Sequence, residues 1–163
     1  MDKINKQDQR LLAVWAANCA ERVLPLFEKS YPRDERPYKA IEACRTWVRT
    51  GIFHMKDIRK ASLDSHAAAR KAKEDGNEAA CFAARAAGHS VATAHVSQHA
   101  YGPAYYALKA VSAADPENAE ARIIREYGWQ SKHFPKNKNL MKGWKEWQSQ
   151  KLPKGLKHIL QKK

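Results

Sequence analysis

The stretch NEAACFAARAAGHSVATAHVSQH, residues 77–99, decides the fold class. Apolar residues fall on nearly every side of its helical projection, the pattern of a helix packed against several neighbours. Its many alanines and Gly88 let adjacent backbones approach closely, so interaxial distances belong at the short end of the roughly 8–10 Å range. At about 1.5 Å per residue, a helix over 77–99 spans roughly 35 Å, the width of a small domain. The wider segment 79–108 carries only Arg85 as a formal charge, yet it holds His89, Ser90, Thr93, His95, Ser97, Gln98 and His99. A bilayer penalises those polar groups and a protein core accommodates them, so no membrane span is expected.

Working outward, helical periodicity continues on both sides. Leu11, Leu12, Trp15, Ala16, Cys19, Val23 and Leu26 recur at spacings of three and four and predict a first helix over 7–27. Pro25 lacks an N–H and is expected to kink or restart that helix near Val23. Pro32 and Pro37 bracket a polar turn with Asp34 as the expected N-cap of a second helix, which presents Ala40, Ile41, Cys44, Trp47 and Val48 and stops at Gly51. A third helix, 56–74, has a face of small residues. After Tyr101-Gly102-Pro103 a fifth helix runs to Ala114. Asp115-Pro116 opens a sixth, with Ile123, Ile124 and Tyr127 inward and Gly128 near its end. No window alternates as a strand would. The fold class is all-α, a single-domain bundle of about six to eight helices around a central Ala-rich buried helix. At 163 residues, 44% of them apolar, the chain is long enough for one sizeable core.

The net charge of +13 is unevenly spread. Residues 1–128, an Ala-rich helical body, hold 20 Lys/Arg against 16 Asp/Glu. Residues 129–163 hold ten lysines, no arginine and one acid, Glu146, and read as a Lys/Trp-rich helical extension packed on that body. Lysine is a hydrated point charge suited to a diffuse negative surface, whereas arginine reads planar acceptors two at a time. The extension repeats itself at an offset of eighteen: Trp129-Gln130-Ser131 precedes Phe134-Pro135-Lys136, and Trp147-Gln148-Ser149 precedes Leu152-Pro153-Lys154. Two short helical pieces joined by 136–139 are expected, with Trp144 and Trp147 as anchors. The candidate partner-binding residues are Lys132, Lys136, Lys138, Lys142, Lys145, Lys151, Lys154 and Trp144.

Catalytic signatures are missing from the chain. It has no glycine-rich phosphate loop, no nucleophile elbow and no isolated acid pair. On a continuous helix His95 and His99 would share a face, as a metal pair needs. The glutamate that follows the first histidine of a metalloprotease signature is lacking, and His66 or His89 completes a site only if packing brings it in. Neither an enzyme nor a cofactor or metal is expected. Cys19, Cys44 and Cys81 are far apart inside apolar patterns, which suits reduced core thiols. No secretion signal is read at the start, so a cytoplasmic location is expected.

Three segments carry a resemblance. LAVWAANCAERVLPLFE (12–28), RPYKAIEA (36–43) and AAGHSVATAHVSQHA (86–100), the last continued by AYYALKAV (104–111), resemble the fifth-family, immunity-five-like putative immunity proteins of bacterial polymorphic toxin systems. The likeness runs over roughly 11–135 in the family's order, and the family's usual close, a Trp-Gln pair followed by Leu-Pro, occurs here twice. It implies a helical protein that binds and neutralises a cognate toxin by steric occlusion. The lysines of the extension would suit a toxin with an acidic face. The alternatives are a nucleic-acid-binding helical protein using the basic tail and, further off, a metal-dependent helical enzyme.

Overall fold

The computed structural model describes residues 4–150, 152 and 156–161. It contains α1 (Lys6–Glu28), α2 (Arg36–Thr50), α3 (Met55–Glu74), α4 (Glu78–Ala92), α5 (Tyr101–Ala114), α6 (Ala119–His133), α7 (Lys138–Gln150) and α8 (Leu156–Gln161). Short 3-10 turns, Ser97–Ala100 and Pro116–Asn118, lead into α5 and α6. Among the described residues there is no strand, and no helix is long and apolar enough to cross a membrane.

Around α4 pack α1, α2, α3 and α5. Ala80, Ala83, Ala84, Ala86, Ala87, Gly88 and Val91 of α4 are all buried, which is why four helices can crowd one. The small face of α3 meets it through hydroxyls as well as methyls. Ser65 Oγ donates to the Ala84 carbonyl at 2.8 Å and Ser62 Oγ to that of Gly88 at 2.9 Å, contacts only small residues permit.

Two helices depart from their sequence pattern. α1 continues through Pro25 to Glu28 without a restart, because Val23, Leu24 and Phe27 are buried on either side of the proline. α4 stops at Ala92, seven residues before His99. Past it the chain turns, and Gln9 of α1 donates to the freed Thr93 and Ala94 carbonyls at 2.8 and 3.2 Å. A side chain of another helix thereby takes over bonding that further turns of α4 would have supplied. Asp34 acts one residue before the α2 cap position, where its carboxylate accepts from the Arg36 backbone N–H at 3.1 Å. Gly128 lies inside α6, which runs on to His133.

A second core cluster joins the body to the extension. Trp15, Leu12 and Cys19 of α1 meet Ala104 and Leu108 of α5, Phe134, and Leu140, Trp144 and Trp147 of α7. Trp15 is the hub, with Phe134 at 4.9 Å and Trp144 at 5.7 Å, both edge-on. Its indole Nε1 donates to the Gln130 carbonyl at 3.1 Å, and Gln130 Nε2 donates to that of Ala104 at 3.0 Å. The connector is tied down as well: Asn137 Nδ2 donates to Asp8 Oδ1 at 2.8 Å and Asn139 Nδ2 to Asp8 Oδ2 at 3.3 Å.

Candidate functional site

α7 is amphipathic in a simple way. At 3.6 residues per turn, positions 140, 144 and 147 fall on one side and positions 138, 142 and 145 on the opposite side. The first set is Leu140, Trp144 and Trp147, each no more than 5% exposed. The second is Lys138, Lys142 and Lys145, all exposed. Lys132 at the end of α6 and Lys136 in the connector are exposed too. Trp144 is therefore placed as the anchor that holds the lysine row outward, with its ring among Trp15, Tyr127, Phe134 and Trp147. Lys151 and Lys154 lie outside the described residues. Trp129 is half-buried, with the Arg22 guanidinium 4.2 Å from its ring and His133 stacked at 4.3 Å. Trp144 and Trp147, buried in the Trp15 cluster, are not presented for stacking on exposed bases.

Beside α7 opens a half-enclosed pocket of about 590 Å³, lined by His89, Gln98, His99, Tyr101, Tyr105, Tyr106, Glu146 and Trp147 with Gly102 and Gly143. Glu146, the lone acid of the extension, is its one charged lining residue. The chain reversal after α4 brings His99 back onto His89, and their Nδ1 atoms face each other at 3.3 Å. Tyr106 stacks on His89 at 5.4 Å and 12°, and His66 of α3 meets the other side of the group at 5.0 Å from the His89 ring. His95 goes elsewhere, exposed and stacked on Phe53 at 6.3 Å. His95 and His99 are thus not a facing pair, since the spacing of four has meaning only on an unbroken helix. Among the described residues no group of three His, Cys, Asp or Glu side chains is placed to hold a metal ion.

Glycines seat these rings. A Cβ on Gly102 would lie 2.7 Å from His89, one on Gly88 2.9 Å from His66, and one on Gly143 2.6 Å from the Tyr101 hydroxyl. In a chain this rich in alanine, glycine at those helical positions costs up to about 1 kcal/mol each, so the close approach is specifically built. Burial pushes the His89 imidazole down to about 3, helped by neighbouring His66, and pushes His66 down to about 4, helped by Arg85. His99 is also lowered by burial. The cluster is therefore uncharged at neutral pH.

A model of the Imm-5 like putative immunity protein family matches residues 2–137. The chain belongs to this family. No curated protein and no solved structure matches it. The match contains α1 to α6, the histidine group and the first of the two Trp-Gln-Ser copies; α7, the second copy and α8 lie beyond it. For this Imm-5 like chain, the exposed Lys138, Lys142 and Lys145 and the buried Trp147 sit as the sequence reading of the extension expects. Trp144, offered there as a partner-binding residue, is covered, and His95 and His99 do not share a helical face because α4 ends at Ala92. Tyr101, Tyr106 and Glu146 escaped notice as pocket residues because each belongs to an unremarkable helical stripe. Gly88 and Gly102, glycines inside alanine-rich helical runs, were the available signal.

Proposed function

We propose that this Imm-5 like protein neutralises a cognate bacterial toxin by binding it and covering its working surface, with the lysine row of α7 steering the encounter. The observation that carries this reading is the division of α7 into a buried Leu140/Trp144/Trp147 side and an exposed Lys138/Lys142/Lys145 side. A rigid helix presenting aligned cations loses little freedom on binding, and like-signed charges in a row speed association with an acidic surface. Family membership supports a protein partner, and the alanine-packed body supplies the stiff support an occluding inhibitor needs. No catalytic role is assigned to the chain.

The test is co-expression with a toxin domain sought in the neighbourhood of this gene. Growth should be rescued by the wild-type chain. The triple charge reversal Lys138→Glu, Lys142→Glu and Lys145→Glu should slow complex formation by roughly tenfold or more at low ionic strength and lose most of its salt dependence. Rescue without complex formation, or association rates indifferent to both salt and the reversal, would sink the reading.

A further inference from the structure

We infer that His89 and His99 together form a binding site for a divalent late first-row metal ion, zinc in the first instance, through their facing Nδ1 atoms. Two nitrogens bound to a tetrahedral ion at about 2.0–2.1 Å stand roughly 3.3 Å apart. The two Nδ1 atoms are 3.3 Å apart. Without an ion the two nitrogens make a hydrogen bond whose direction is set by the tautomers, and the same separation admits a shared ion once both are unprotonated. It matches the chord of a shared ion.

The framework holds the His89 nitrogen in place. Its ring is clamped between Tyr106, stacked at 5.4 Å, and the bare backbone of Gly102, where even a methyl group would come within 2.7 Å. His99 is delivered by the 3-10 turn Ser97–Ala100, whose position depends on the α4 stop at Ala92. Both imidazoles line the 590 Å³ pocket, which has room for water to complete the coordination of an ion held there. With no third His, Cys, Asp or Glu in place among the described residues, the site is an open one with two protein ligands. Imidazole pairs select zinc, nickel or copper over magnesium and calcium, which prefer oxygen donors. Glu146, the one acid of residues 129–163, gives the pocket a carboxylate, and this favours entry of a cation.

The experiment is isothermal titration of the full-length, chelator-stripped protein with zinc chloride and then nickel chloride at neutral pH. Imidazole resonances are followed by NMR in parallel. The expected result is saturable binding of one ion per chain, with the His89 and His99 signals shifting first. His99→Ala and His89→Gln should each weaken binding by roughly tenfold or more, since losing a ligand costs at least as much as losing the partner of one. His95→Ala should leave binding unchanged. Circular dichroism checks that each variant is folded, and His99→Ala alone suffices if His89→Gln is not. Absence of saturable binding, or binding that survives His99→Ala, or an equal loss in His95→Ala, overturns the inference.

Discussion

Arg22 of α1 and Glu126 of α6 form a two-point ion pair, with Nε and Nη2 of the guanidinium donating to the two carboxylate oxygens at 2.8 and 2.9 Å. The carboxylate side chain is 8% exposed and the guanidinium side 35%, so the partners depend on each other unequally. Arg22→Met strands a desolvated charge and should cost about 2–3 kcal/mol; Glu126→Gln leaves a cation that can reach water and should cost about 1 kcal/mol. Urea denaturation of both variants checks the order, and equal losses would show that burial of Glu126 does not set the cost.

Trp144→Ala should destabilise the fold by about 3 kcal/mol, because it empties the centre of the Trp15/Phe134/Trp147 cluster. The same change should make α7 the first site of limited proteolysis. Lys145→Ala, on the outer side, should stay within about 0.5 kcal/mol of the parent.

Two glycine replacements should act in opposite directions. Nothing lies within 4 Å of a Cβ at Gly128, which sits inside α6, so Gly128→Ala should stabilise by about 0.5–1 kcal/mol through helix propensity. Gly102→Ala meets His89 at 2.7 Å and should cost about 1–3 kcal/mol. Thermal melts of the two variants read the sign directly.

Acid should weaken the protein earlier than carboxylate titration does. His89 is lowered to about 3 and His66 to about 4 in the folded chain, against 6.5 in the unfolded one. Below pH 6.5 the unfolded chain takes up protons that the folded chain refuses, so stability falls as pH drops and levels off near the folded values. The loss between pH 7 and pH 4 should be about 3 kcal/mol from His89 alone. His89→Gln should flatten that part of the urea-midpoint profile, and an unchanged slope would count against the buried neutral state.

Periodicity made most of the body legible. The stripes of α1, α2 and α3 and the crowding of α4 are direct consequences of where apolar and small residues recur. Pro25 misled because a local rule met the burial of Phe27 and Leu24, and packing prevailed. The end of α4 was illegible for the converse reason. Residues 93–99 contain no glycine or proline, and the turn is supported by Gln9, a residue 84 positions from Thr93. The histidine group inherits that illegibility, since His89 and His99 are ten residues apart and meet only because the chain reverses between them.

The opposed sides of α7 answer to separate demands. Leu140, Trp144 and Trp147 fix its position, and a separate set, Lys138, Lys142 and Lys145, displays charge. A lineage could therefore rewrite the outward letters of this helix, exchanging one cationic spelling for another, while the hinge side that clips it to the body stays as it is. Partner choice and structural integrity would then drift independently within a single short segment.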